Sequence, residues 1–117
     1  MGNAYYLLQE HRRAIDCFKK ALVYDPDNLD YHFNIANTLV EIKEFTEAIR
    51  HYKKILELDS DVSYANTEQA LMMLAKVYEE ELQDVIRAKK VYKKIVDLFP
   101  RNKTARGKLK RNLEDAN

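Results

Sequence analysis

The chain has 117 residues, with 20 basic and 19 acidic side chains, a net charge of +1, two glycines and one cysteine. That length suits one domain that buries its core unaided, and a lone thiol excludes an internal disulfide framework. A single cysteine also fits a reducing compartment, so a cytoplasmic location is expected, with the nucleus as the alternative. No apolar run reaches the roughly 18 residues of a membrane-spanning helix.

Along the chain, Ala14, Ile15, Phe18, Ala21 and Leu22 fall at i, i+1, i+4, i+7 and i+8, one stripe of an amphipathic helix. Asp25-Pro26-Asp27-Asn28 ends it, because proline lacks a donor and pushes the preceding residue out of helical geometry. Ile35, Ala36, Leu39 and Ile42 mark the next helix. Ala48, Ile49, Tyr52, Ile55 and Leu56 then repeat the first stripe at a step of 34 residues, and Asp59-Ser60-Asp61 supplies capping oxygens. Leu71, Leu74, Ala75 and Tyr78 mark a further helix. Ala88, Val91, Tyr92, Ile95 and Val96 form the third copy, now 40 residues on, closed by Phe99-Pro100-Arg101-Asn102. Last comes the thin stripe Ala105, Leu109, Leu113 on a strongly charged segment. No strand-like alternation occurs, so the chain reads as all-α with helices in antiparallel pairs. A fixed period of this size means stacked units presenting a continuous surface, which suits binding more than catalysis.

These residues resemble the tetratricopeptide repeat family, whose unit runs Trp, Leu-Gly, Tyr, then Ala-x-x-x-Phe and a closing Pro. The first copy reads Met1-Gly2-x-x-Tyr5, Ala14-x-x-x-Phe18, Pro26. The second reads His32-x-x-Ile35-Ala36-x-x-Leu39, Ala48-x-x-x-Tyr52, with Ser60 in the proline place. The third reads Leu71-x-x-Leu74-Ala75-x-x-Tyr78, Ala88-x-x-x-Tyr92, Pro100. The resemblance covers residues 1–100 and implies a right-handed α-solenoid of three antiparallel helix pairs plus a C-terminal capping helix. The expected repeats are 1–28, 29–62 and 63–102, with the cap at 103–115, all in one domain.

Two departures carry expectations of their own. The first copy begins at the Leu-Gly step, which reads as a fragment of a longer protein. Residues 1–9 would then form a helix too short to cover Ile15, Phe18 and Leu22, so self-association or fraying is expected at this end. The third copy is six residues longer than the second. One extra residue is placed in the turn near 83–86, and Ser63-Tyr64-Ala65-Asn66-Thr67 is expected to extend the helix that follows.

The resemblance also implies that the first helix of each pair lines a concave groove. Its positions here are Asn3, Tyr6 and Leu7; then Asp30, Phe33, Asn34, Asn37, Val40 and Glu41; then Gln69, Met72, Met73, Lys76, Glu79 and Glu80. Asparagine amides offer a donor and an acceptor together, which suits an extended peptide backbone. Phe33, Met72 and Met73 are expected as exposed apolar groups. In the family's chaperone-tail clamps, Asn3 and Asn34 match two asparagines, but Gln69 and Met73 stand where Lys and Arg are required. Carboxylates call for charge-assisted donors, so a chaperone tail is not an expected partner. A protein or peptide ligand is, and the leading alternative is self-association or end-to-end packing within a larger assembly.

Catalytic and metal chemistry find no support in the sequence. His11, His32 and His51 are scattered; only Glu47 and His51 share a helix face, too few for a zinc site. His32 takes the family's Trp place and reads as a half-buried packing residue, and Cys17 as a partly buried, inert thiol. No glycine-rich phosphate loop or nucleophile motif is present, so neither enzyme activity nor a cofactor is expected. Residues 59–84 are net −6 and residues 101–117 net +4. The basic stretch reads as the cap, packed through Ala105, Leu109 and Leu113, rather than a nucleic-acid or membrane site.

Overall fold

The computed structural model describes the backbone of residues 2–115 and the side chains of residues 7–110. Its helices are α1 (Gly2–Tyr24), α2 (Leu29–Glu41), α3 (Phe45–Leu58), α4 (Thr67–Lys76), α5 (Val85–Leu98) and α6 (Lys103–Asp115). A π-helical turn, Val77–Glu81, continues α4. No strand occurs among the described residues. The helices fall into two compact units, Met1–Tyr64 and Ala65–Asn117.

In the first unit, proline and asparagine set the break between α1 and α2. Asn28 caps α2: its Oδ1 accepts from the Tyr31 N–H at 3.0 Å, and its Nδ2 donates to Asp25 at 3.0 Å. α2 and α3 pair across the turn Ile42–Glu44, where Lys43 takes φ 64° and the Glu44 N–H reaches the Leu39 carbonyl at 2.8 Å. Ala36 and Ala48 are fully buried, as expected where paired helices approach closely, with Ile35, Leu39, Tyr52 and Ile55 filling between them.

The first repeat departs from its expected hairpin. α1 runs unbroken through Leu8–Arg13, where the repeat pattern puts a turn. The α2–α3 turn contains no glycine either; what favours it is the apolar stripe each helix buries against the other. Leu, Gln, Glu and Arg are good helix formers, so local propensity decides. Ile15 is 5 % exposed, Phe18 and Leu22 are half-buried, and the Phe18 ring lies 6.1 Å from that of Tyr31 on α2. The open face that suggested self-association is therefore largely closed, and that expectation loses its ground.

The segment 63–66 does not extend α4, which starts at Thr67. Asp59, buried at the end of α3, accepts from the backbone N–H groups of Ser63 at 3.0 Å and Tyr64 at 3.2 Å. Charge-assisted bonds to a buried carboxylate outweigh a further helical turn. Val62 takes φ 53° to make this possible, a left-handed conformation that β-branched residues avoid.

In the second unit α4 pairs with α5, again across fully buried alanines, Ala75 and Ala88, with Leu71, Leu74, Tyr92 and Ile95 around them. The extra residue of this repeat lies earlier than expected. The Tyr78 carbonyl takes the Asp84 N–H at 2.7 Å, as Leu39 takes Glu44, and Gln83 repeats the left-handed Lys43 with φ 53°. Four residues lie between Leu39 and Glu44 and five between Tyr78 and Asp84, so the added one is absorbed by the π turn. There the Leu82 N–H reaches back five residues to the Val77 carbonyl. α6 packs on α5 through the fully buried Ala105, and Asn102 caps it as Asn28 caps α2. Leu109 is half-buried, and Leu113 lies outside the residues whose side chains are described.

Candidate functional site

Asp30, Phe33, Asn34, Asn37 and Glu41 step along one side of α2 at i, i+3, i+4, i+7 and i+11. The opposite side, with Ile35, Ala36 and Leu39, is core. The sequence therefore places these candidates on one face, but the structure changes what two of them offer. Phe33, expected as an exposed apolar anchor, is only 8 % exposed. The Tyr64 ring meets it edge-on, with centroids 6.4 Å apart and planes at 85°. The Tyr64 hydroxyl donates to Asp30 Oδ1 at 2.5 Å. One side chain from the added segment thus covers an expected anchor and engages an expected polar contact.

The two asparagines differ. Asn37 Oδ1 accepts from the Tyr52 hydroxyl at 2.5 Å. Tyr52 is fully buried, and that burial pushes its phenol pKa well above the ordinary value, so it remains a donor. The bond fixes the amide's orientation and leaves the Nδ2 protons for another acceptor. Asn34 is exposed, and its side chain makes no hydrogen bond among the described residues; only its carbonyl is used, by Thr38 Oγ1 at 2.8 Å. Val40 is half-buried, and Glu41 is held by His11 Nε2 at 2.9 Å. Leu7 is exposed on α1, while the side chains of Asn3 and Tyr6 lie outside the described residues.

On α4, Gln69 and Lys76 are exposed, and Met72 and Met73 are half-buried rather than fully open. Glu79, in the π turn, pairs with Lys108 of α6 at 2.6 Å. It also lies beside Tyr92, whose pKa is pushed up to about 12, first by burial and then by the Glu79 charge. Glu80 is exposed.

A pair of histidines escaped sequence reasoning. His32 is buried, not half-buried. Its Nε2 lies 2.9 Å from the Pro26 carbonyl and its Nδ1 3.0 Å from His51 Nδ1. A carbonyl only accepts, so Nε2 carries the proton and the His32 Nδ1 lone pair takes the His51 N–H. Burial first, and then the neighbouring His32, lower the His51 pKa to about 4. The two residues sit 19 positions apart; no local face joins them, and only the pairing of α2 with α3 does. Cys17, expected to be partly buried, is exposed. Among the described residues no group of three or more His, Cys, Asp or Glu is placed to hold a metal, and no helix is long and apolar enough to cross a membrane.

Comparison with known proteins agrees with the repeat pattern. Residues 2–43 match a family model described as TPR repeat, and residues 29–62 and 69–102 match two described as Tetratricopeptide repeat. The chain is 30 % identical over 82 residues to the STIP1 homolog of Dictyostelium discoideum, covering 68 % of this chain and 14 % of that protein. It is 27 % identical over 110 residues to human RNA polymerase II-associated protein 3, covering 94 % of this chain and 16 % of that protein. The chain therefore spans about a seventh of the length of these relatives. Among solved structures, the first TPR of Spaghetti (RPAP3), bound to the HSP90 peptide SRMEEVD, superposes with a TM-score of 0.70 at 27 % identity. That match covers 98 % of this chain and 86 % of that one. The second TPR domain of human RPAP3, in complex with the HSP70 peptide SGPTIEEVD, matches in fold with a TM-score of 0.69 at 23 % identity, covering 94 % of this chain and 87 % of that one. These likenesses place the chain in the all-α, α-solenoid class. They also overturn the expectation drawn from Gln69 and Met73: domains this similar are found with chaperone peptides, so a chaperone tail is not an excluded partner.

Proposed function

Because the chain belongs to the tetratricopeptide repeat family, we propose that it is a non-catalytic adaptor that holds an extended peptide of a partner protein. The ligand class is acidic C-terminal tails of the kind carried by HSP70 and HSP90. The observation that carries this reading is the match, over 98 % of the chain, to a TPR domain bound to an HSP90 peptide. The α2 face is compatible with it. Asn34 presents an unengaged amide, and Asn37 presents oriented Nδ2 donors, both suited to backbone carbonyls or a terminal carboxylate. Gln69, Met72, Met73 and Lys76 on α4 are the further proposed contacts. With Gln69 and Met73 in place of cations, recognition leans on neutral donors. The end-to-end packing alternative is less favoured.

The test is fluorescence anisotropy with labelled SRMEEVD and SGPTIEEVD against the intact chain. Binding is expected, and it should be lost when the peptide's C-terminal carboxylate is amidated. Asn34→Ala should weaken it about tenfold or more, since a hydrogen bond to a charged group is worth about 1.5–3 kcal/mol. Met73→Arg should tighten it by supplying a charge-assisted donor. No binding of either peptide, or binding indifferent to amidation and to both substitutions, would refute the proposal.

A further inference from the structure

Residues 85–110, from the start of α5 into α6, carry ten basic side chains and a single acid, Asp97, for a net charge of +9. The rest of the chain is net −8. The repeat itself does not call for this asymmetry. Windows of the same length that start at the matching positions, residues 11–36 and 45–70, are net 0 and net −2. The repeat pattern is therefore built without the charge. Residues 101–117 taken alone suit a cap, and Lys108 does hold α6 to the π turn, but that reading omits the charge of α5.

Ion pairs within the chain neutralise little of it. Arg87 pairs with Asp84 at 3.0 Å and Lys108 with Glu79 at 2.6 Å. Lys89, Lys90, Lys93 and Lys94 of α5, with Lys103 and Lys110 of α6, pair with no described residue. Lys89 is half-buried and the other five are exposed. Lys90 and Lys93 match Arg50 and Lys53 of α3, which are exposed too, so the exposure belongs to the position within the repeat. Lys89 with Lys93, and Lys90 with Lys94, are like charges at i and i+4, an arrangement that works against a helix. Because α6 packs on α5, the two helices present their charge side by side.

We infer that α5 and α6 form a docking surface for the phosphate backbone of a double-stranded nucleic acid, bound without regard to sequence. A duplex offers a dense row of phosphates, and each one that a lysine neutralises releases condensed counterions. Lysine ammonium groups act as point charges, which suits backbone pairing. Single-strand binders add exposed aromatic rings on which bases stack. Here Tyr92 is buried and Phe99 half-buried, so the duplex is the better match. An anionic membrane is a poorer one. Its apolar anchors would be Leu82, Val85 and Ile86, exposed where α5 begins, and inserting them would carry the exposed Glu80 and Glu81 to the headgroups. The surface uses none of the residues proposed for peptide contact.

The probe is a short fluorescein-labelled duplex, made once as RNA and once as DNA of the same sequence, titrated with the intact chain and followed by anisotropy. Both should bind, since both carry the same phosphodiester anion. About four phosphate contacts give a slope of about −3.6 for log affinity against log salt on DNA. Lys90→Gln with Lys93→Gln should reduce the steepness of that slope by about 2. Lys90→Glu with Lys93→Glu should weaken binding at least tenfold at low salt. Arg50→Gln with Lys53→Gln, the matching pair on α3, should change neither quantity. All four positions are exposed, and circular dichroism of each variant checks that the helices persist. The proposal fails if neither duplex binds at low salt, if affinity does not depend on salt, or if the α5 variants bind as tightly as the unaltered chain. It fails too if labelled polyglutamate binds more tightly than either duplex, since the occupant would then be an acidic protein. Binding to phosphatidylserine vesicles that is tighter than to either duplex, and is lost on Ile86→Asp, would overturn it in favour of a membrane.

Discussion

Acid should weaken this fold in the histidine range, before its carboxylates titrate. The His51 pKa falls from 6.5 to about 4 on folding, because burial and the adjacent His32 disfavour the imidazolium. Glu47 pulls the other way, while Lys19 and Arg50 add to the lowering. As pH drops below 6.5, the unfolded chain takes up a proton that the folded chain refuses, so stability declines until about pH 4 and then levels. The whole interval corresponds to a ceiling of about 3.4 kcal/mol at 1.36 kcal/mol per pH unit. Since the ring is only half-buried, solvent screening reduces this to about 1–2 kcal/mol. Glu47 acts in a separate, lower window. The Lys19 hydrogen bond lowers its pKa, so its contribution is present above 4.5 and is lost as pH falls through the folded value. The assay is urea denaturation from about pH 7.5 to pH 4.5, in wild type and in His51→Gln, whose amide still offers His32 a donor. Wild type should lose stability across that range and the variant should lose markedly less. A flat wild-type profile, or equal slopes in both proteins, would refute the assignment.

Removing the Tyr64 hydroxyl (Tyr64→Phe) should cost about 1 kcal/mol through its bond to Asp30, and Tyr64→Ala a further 1 kcal/mol or so from the ring pair with Phe33. Unchanged thermal midpoints for both would contradict this. Deleting Glu81 should be tolerated, because it shortens a π turn that already holds a surplus residue. Deleting Val91 should unfold the second unit by rotating Ala88 away from the face of Tyr92 and Ile95, and circular dichroism separates the two outcomes. Ala105→Leu should destabilise by about 1–3 kcal/mol through overpacking at a fully buried site, more than Leu109→Ser at a half-buried one; the reverse order would mean that α6 packs differently.

Helices and their ends were legible because their causes are local. Pro26 and Pro100 stop helices, Asn28 and Asn102 start them, and the alanines recur wherever paired helices must come close. The errors arose where two local options were nearly equal and tertiary contacts chose. Leu8–Arg13 can continue a helix as readily as Glu41–Phe45 can, and in the second stretch the buried stripes of α2 and α3 reward a turn. Ser63–Asn66 contains no helix breaker, and its fate was decided by the buried carboxylate of Asp59, whose capture of two N–H groups leaves no trace in hydrophobic periodicity. Repeat spacing puts Asp30, Phe33, Asn34, Asn37 and Glu41 on one side of α2, whereas His32 and His51 meet only through helix pairing.

The added segment has the largest consequence for the candidate site. In sequence it is a difference in repeat length; in the fold it lays Tyr64 over Phe33 and ties Asp30. An exposed phenylalanine would have anchored an apolar ligand side chain on α2. With that place taken in cis, the proposed contact on α2 is left with polar donors, Asn34 and the Tyr52-oriented amide of Asn37. Such a surface reads main-chain and carboxylate oxygens more than side-chain shape, which is the chemistry an acidic C-terminal tail presents. Tyr64→Ala links the two properties. It should lower stability and, by uncovering Phe33, broaden the ligands accepted toward apolar side chains. A variant that is less stable yet keeps wild-type peptide selectivity would separate the tyrosine from recognition and confine it to holding the segment in place.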